Sequence, residues 1–268
     1  MNLPVNTFKR GLGEPRPQIG LWLAFADAYV AEALSTADYD WLLLDGEHAP
    51  NDLRNVLEQL QAIAAYQTHP IVRPVNSDPA LIKQYLDIGV QTLLVPMVDS
   101  GEQARAIVQA TQYPPKGIRG VGSSLARASR WNAIGDYLHR AQDELCVLVQ
   151  VESQAGMAEL DAIAQTDGVD GVFFGPADLS ASLGFLGQPN HPDVRAMIED
   201  GIRRVRALGK AAGVLATDQA VAHAYIECGA NFVGVGVDTT LLVRSAKALR
   251  AQFAGASATD TNSAGSAY

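Results

Sequence analysis

Short runs dominated by Val, Leu, Ile and Phe alternate along the chain with longer stretches in which apolar residues return every three or four positions. The runs are Gln18–Leu23, Trp41–Asp45, Pro70–Arg73, Thr92–Pro96, Cys146–Glu152, Gly171–Phe174, Ala211–Leu215 and Asn231–Val237. Largely apolar without strict alternation, they read as strands buried on both faces, as in a parallel sheet covered by helices. The stretches between them carry helix punctuation. Asp78-Pro79 opens one helix and Gly89 closes it, Ser100 and Gln103 are spaced as a capping box, and Asp218 and Gly229 bracket another helix. Eight strands, each followed by a helix, predict a (β/α)8 TIM barrel, an α/β fold in a single domain over residues 1–254. Two segments break the rhythm. Tyr113–Glu144 is long for a plain connection and holds a Gly-rich stretch followed by a helical pattern around Trp131–Gln142. Such an insertion on a barrel is often a functional loop or a subunit contact. Residues 255–268, mostly Gly, Ala, Ser, Thr and Asn, predict a disordered tail.

The polar residues that interrupt this pattern fall at one end of the strands, the end where such barrels build their sites. The second run closes in Asp45-Gly46-Glu47-His48, the third in Arg73-Pro74 and the fifth in Gln150-Val151-Glu152, while the sixth leads into Gly175-Pro176-Ala177-Asp178. Gln150 and Glu152 are two apart and so share one face of a strand, here assigned to the barrel interior. Glu152 and Asp178, on consecutive strands, can share one hard divalent cation; oxygen ligands with open positions suit Mg²⁺ or Mn²⁺ better than Zn²⁺, with Co²⁺ as a further option. The competing reading makes Glu152 a helix cap and Asp178 a turn cap. Arg73 either pairs with a structural carboxylate or faces developing negative charge, and its replacement by Ala is expected to lose most turnover and keep the fold. His48, three residues after Asp45, is a candidate acid/base group, against the commoner structural role of a lone histidine. Glu47 is open between a supporting role and none. Trp22, Leu215 and Val237, at other strand ends, are candidate walls of an apolar substrate pocket or ordinary barrel packing.

Composition narrows the chemistry. A net charge of −9 and a pI near 5.0 argue against a nucleic-acid partner. Of the five lysines (Lys9, Lys83, Lys116, Lys210 and Lys247), none closes a strand, so a Schiff-base mechanism lacks its amine and a metal is the better electron sink. No organic cofactor is expected. Two cysteines, Cys146 and Cys228, are too few for a disulfide framework and read as reduced. The start carries no signal-peptide pattern and no run reaches the length of a membrane helix, so a cytoplasmic protein without membrane contact is expected.

Together Asp45-Gly46-Glu47-His48-Ala49-Pro50, Leu94-Val95-Pro96-Met97, Gly117-Ile118-Arg119-Gly120-Val121-Gly122, Gln150-Val151-Glu152 and Gly175-Pro176-Ala177-Asp178-Leu179-Ser180 resemble the HpcH/HpaI aldolase family, from about Gln18 to Phe253. The resemblance implies a class II pyruvate aldolase that reversibly cleaves a 4-hydroxy-2-oxo acid, 4-hydroxy-2-oxoheptanedioate foremost, to pyruvate and an aldehyde, here succinic semialdehyde. It implies Glu152 and Asp178 as metal ligands, and Gln150 and the Pro176–Asp178 segment at the substrate, with the Ala177 N–H on its carboxylate. It further implies Arg73 as transition-state stabiliser, His48 as base, and Asp87 as the acid that raises the basicity of that histidine. It also implies a homo-hexamer with sites near subunit contacts. From the sequence alone Asp87 is an exposed residue near a helix end. Alternatives are a 2-keto-3-deoxy sugar acid aldolase, an acyl-CoA lyase on the same barrel, and a non-catalytic barrel that binds a metal and a keto acid.

Overall fold

The computed structural model describes residues 1–253; the tail expected at 255–268 lies outside the described residues. The strands are β1 (Gln18–Leu23), β2 (Trp41–Asp45), β3 (His69–Arg73), β4 (Thr92–Val95), β5 (Cys146–Val151), β6 (Gly171–Phe174), β7 (Ala211–Leu215) and β8 (Phe232–Val237). They pair in parallel in chain order, and β8 closes on β1. Each begins or ends within one residue of the run read from the sequence. The helices are α1 (Thr7–Gly11), α2 (Ala28–Leu34), α3 (Leu53–Ile63), α4 (Pro79–Asp87), α5 (Gly101–Thr111), α6 (Tyr137–Arg140), α7 (Gln154–Ala158), α8 (Leu160–Ala164), α9 (Pro176–Ser182), α10 (Pro192–Ala207), α11 (Gln219–Glu227) and α12 (Asp238–Ala251). Asp78, Ser100 and Asp218 cap α4, α5 and α11 through their side-chain oxygens. None of the described helices is long and apolar enough to cross a membrane.

Two cores result. Outward-facing strand residues such as Leu42, Leu44, Val72 and Val149 pack against the helices. Inward-facing Trp22, Trp41, Leu43, Ile71, Leu148, Phe173 and Phe232 fill the barrel. Small residues opposite the rings make the room: a Cβ on Gly20 would lie 2.0 Å from the Trp41 ring. The short helix α1, absent from the sequence reading, seals the floor. Its Phe8 meets Trp41 and Phe232 edge-on and stacks on His69. Helix α1 thus closes the N-terminal end of the barrel interior.

His69 makes stability depend on pH. It is buried against Phe8, its Nε2 shares a 2.9 Å hydrogen bond with the Thr92 hydroxyl, and burial pushes its pKa down to about 3. An unfolded histidine titrates near 6.5. Between these values the unfolded chain binds a proton that the folded chain refuses, so stability falls as the pH drops below about 6.5. The expected loss is about 1.6 kcal/mol between pH 6.5 and 5, approaching roughly 1.4 kcal/mol per pH unit once the unfolded side chain is fully charged. Denaturant unfolding across this range should show a shallower decline in a His69→Gln variant; equal slopes in the two proteins would assign the acid sensitivity elsewhere.

The insertion departs from expectation. The helix anticipated around Trp131–Gln142 is confined to α6 and a 3₁₀ turn at Ala141–Glu144. Arg130, Trp131 and Asn132 all have positive φ, between 52° and 66°, which a right-handed helix cannot contain. The segment folds back onto α4. Arg119 is fully buried, stacked on Tyr113 at 4.6 Å and paired with Asp87 at 2.8 Å.

Candidate active site

Register builds the centre of the mouth. In the β2–β3 ladder Asp45 lies directly opposite Arg73, and both side chains point inward. Arg73 donates from Nε to Asp45 Oδ1 at 2.9 Å and from Nη2 to Oδ2 at 2.6 Å, a two-pronged pair only 7% and 5% exposed. Its Nη1 lies 2.8 Å from Glu47 Oε2 in an ion pair, and its guanidinium carbon stands 5.7 Å from the centre of the Trp22 ring. Burial works against the Arg73 charge, but Asp45, with Glu47 and Glu152, outweighs it and holds the pKa above its ordinary value. The guanidinium is therefore a cation held by two hydrogen bonds to Asp45 and an ion pair to Glu47. Asp45 serves Arg73 rather than the imidazole of His48; toward its own loop it accepts the N–H groups of Glu47 and His48.

Glu152 comes immediately after β5 and is buried. Its Oε1 accepts the Met97 N–H at 2.9 Å, and its Oε2 accepts the Gln150 side-chain amide. Gly175 permits this: a Cβ there would lie 2.4 Å from Glu152 Oε2. Burial pushes the Glu152 carboxyl up to about 7. The negative charges of Asp178 and Glu47 push the same way, against the hydrogen bonds from Gln150 and Met97. Burial also raises Glu47, opposed by Arg73 and reinforced by Asp45 and Asp178. Glu47 and Glu152 thus both feel the charge of Asp178, and both act on the Arg73 cation. Asp178 is exposed at the third position of α9, with Pro176 and Ala177 before it. Residues in a first helical turn have no intrahelical acceptor for their N–H groups, so the Ala177 N–H is open to an anion.

The structure thus gathers Asp45, Arg73, Gln150 and Glu152 at one mouth, with Asp178 close enough to perturb Glu152. Trp22, Leu215 and Val237 belong to the inward-facing cluster on the β1, β7 and β8 side of the same opening. His48 stands at the rim with its side chain 64% exposed, its Nε2 3.7 Å from Glu47 Oε2. Glu47 is therefore the carboxylate beside His48 and one of the two beside Arg73. Asp87 is elsewhere. Helix α4 leaves the mouth after β3 and runs to the opposite end of the barrel, where Asp87 meets Arg119; one chain does not bring it to its own His48. Sequence reasoning missed Asp238. Buried after β8, it accepts the N–H groups of Ala24 at 2.9 Å, Phe25 at 3.2 Å and Thr239 at 2.6 Å, and so ties the loop after Trp22 to β8. Its place at the end of an apolar strand was the available signal.

The donor set fits a hard divalent cation. Its donors are carboxylate oxygens, their negative charges destabilise one another, and Gln150 Oε1 is buried beside them with no hydrogen-bond partner. Among the described residues no group of three or more His, Cys, Asp or Glu side chains is placed to hold a metal ion, so Glu152 and Asp178 would leave most of a cation's shell to other oxygens.

Comparison with known proteins places the whole barrel beside named relatives. The family model described as HpcH/HpaI aldolase/citrate lyase matches residues 18–245. A hydroxypyruvate/pyruvate aldolase of Paraburkholderia phytofirmans is 66% identical over 253 residues, covering 94% of this chain and 95% of that protein. A 4-hydroxy-2-oxo-heptane-1,7-dioate aldolase of Salmonella paratyphi B is 60% identical over 248 residues, covering 92% and 94%. A crystal structure of an HpcH/HpaI aldolase/citrate lyase family protein from Burkholderia cenocepacia superposes with a TM-score of 0.90 at 40% identity, covering 93% and 99%.

Proposed function

Because the chain belongs to the HpcH/HpaI aldolase/citrate lyase family, we propose that its mouth carries out divalent-metal-dependent, reversible cleavage of a 4-hydroxy-2-oxo acid to pyruvate and an aldehyde. The observation that carries this reading is the buried carboxylate of Glu152, set among other negative charges and facing the Arg73 cation that Asp45 fixes. Glu152 and Asp178 would hold Mg²⁺ or Mn²⁺. Bound there, the cation supplies Lewis acidity that withdraws electron density from the C2 carbonyl. The chain's own residues do the rest. The Ala177 N–H receives the substrate carboxylate, while Gln150, whose Oε1 is buried and unpaired, orients Glu152. His48 takes the proton of the C4 hydroxyl. The C3–C4 bond breaks, the aldehyde leaves, and the electron pair spreads over C3 and the C2 oxygen. Arg73, immobile on Asp45 and Glu47, faces that charge without having to reorganise. Protonation at C3 gives pyruvate. Trp22, Leu215 and Val237 wall the aldehyde side.

The aldehyde's identity is read from relatives. The Salmonella name favours 4-hydroxy-2-oxoheptanedioate, with succinic semialdehyde as the product. The name of the Paraburkholderia relative favours a second reading in which hydroxypyruvate also serves as donor. We place the enzyme in the cytoplasm, consistent with two free cysteines, and as a homo-hexamer. Exposed Leu242, Val243 and Leu249 on α12 and exposed Val121, Leu125 and Trp131 on the insertion support self-association. In an assembly, a neighbour's Asp87 can approach His48 where the chain's own cannot. The test is product analysis with metal present. Pyruvate release from 4-hydroxy-2-oxoheptanedioate, and aldol formation from hydroxypyruvate and an aldehyde, are expected. Cleavage of an acyl-CoA thioester with neither of these would overturn the reading.

A further inference from the structure

Glu152 is gripped by an unusual piece of backbone. Met97, just past β4, has φ of +56°, a left-handed conformation that costs a residue with a Cβ about 1–2 kcal/mol. In that conformation its N–H points at Glu152 Oε1, opposite the Gln150 amide on Oε2. The turn carrying it is bolted to β5 and to the residues just past that strand: Val98 donates to the Gln150 carbonyl at 3.0 Å, and the Ser153 hydroxyl donates to Asp99. One side chain closes the turn from the other direction. Gln103, in the first turn of α5, donates through Nε2 to the Met97 carbonyl at 3.0 Å and accepts the Asp99 N–H through Oε1 at 2.9 Å. In an ordinary capping box this side chain returns to the N–H of the cap residue, Ser100. Here it reaches one residue further back and uses its second group on Met97. A cap alone has no need of that second bond.

We propose that Gln103 is a positioning residue for the cation site: by clamping both sides of the strained turn it keeps the Met97 N–H aimed at Glu152 and so fixes the orientation of that carboxylate. The inference rests on the reading of Glu152 as a ligand. Partners of this kind, one bond removed from a ligand, typically alter metal affinity by 10–100-fold when removed.

The test is Mn²⁺ titration of the chelator-stripped full chain, followed by the electron paramagnetic resonance of free Mn²⁺, with thermal unfolding of the stripped proteins in parallel. The variants are Gln103→Met, which keeps the bulk, Gln103→Ala and Glu152→Gln. The Ser100 cap survives in the Gln103 variants because it uses the backbone N–H of residue 103. Both Gln103 variants should remain folded and bind Mn²⁺ at least ~10-fold more weakly than the parent, while Glu152→Gln abolishes binding. Parental Mn²⁺ affinity in the Gln103 variants, whether or not they melt earlier, would overturn the positioning role and leave the ligand reading intact. Parental affinity in Glu152→Gln would overturn the ligand reading and this inference with it.

Discussion

Glu152→Gln is expected to lower kcat/KM by roughly 10³-fold or more while leaving the fold intact. The two halves of this expectation have one cause. Glu152 is buried among like charges, and its carboxyl is pushed up to about 7. A neutral amide of the same shape ends that repulsion, and Gln150 can turn its unpaired Oε1 to accept from the new NH2, so the unfolding midpoint of the metal-free protein should hold or rise. What disappears is the anionic oxygen set that suits a cation. Asp178→Asn should lose activity comparably with a smaller effect on stability, because Asp178 is exposed. A Glu152→Gln protein that turns over near the parental rate would remove the carboxylate from the mechanism. One that unfolds would show that the residue is structural first.

Arg73→Ala is expected to damage both activity and stability. Loss of the fixed cation facing the C2 oxygen should cost roughly 10²–10³ in kcat, the usual effect of removing one donor to a developing oxyanion. The sequence alone suggests a variant that keeps its fold. The structure revises this, because the Asp45 side chain is 5% exposed and its carboxylate has Arg73 as its only side-chain partner among the described residues. Stranding it, with Glu47 nearby, should cost about 3–5 kcal/mol of unfolding free energy. Arg73→Lys should rescue little, since an ammonium cannot repeat the two parallel bonds to Asp45. Denaturant unfolding and steady-state kinetics on Arg73→Met and on Arg73→Met/Asp45→Asn separate the roles. The double variant should regain most of the lost stability and none of the lost turnover. Recovery of turnover would mean that Arg73 matters only as a partner for Asp45.

The barrel and its polarity were legible because fully buried parallel strands have a strong local signature. Val, Leu and Phe runs bounded by Asp78, Ser100 and Asp218 located eight strands within a residue, and the polar residues past their ends marked the mouth. Pairings depend on register, which a single run does not carry: Asp45 and Arg73 are 28 residues apart and meet because β2 and β3 align them. The same limit hid the contact between Glu47 and Arg73 and the three N–H groups gathered by Asp238. The floor helix α1 was missed because one turn around Phe8 is too short to show periodicity. Around Trp131 the amphipathic pattern pointed to helix, but three consecutive left-handed residues override it. Asp87 reads as a surface residue by sequence, and within one chain it lies at the barrel's far end, held by Arg119.

The most direct measurement is exchange of the pyruvate methyl protons in D₂O, followed by nuclear magnetic resonance without any aldehyde present. It isolates formation of the carbanion equivalent at C3 from the choice of substrate. The parent protein with Mg²⁺ or Mn²⁺ should exchange deuterium into pyruvate, lose this on chelation, regain it when the ion is returned, and show none of it in Glu152→Gln. Exchange that continues undiminished after exhaustive chelation, or in the Glu152→Gln protein, would contradict the account.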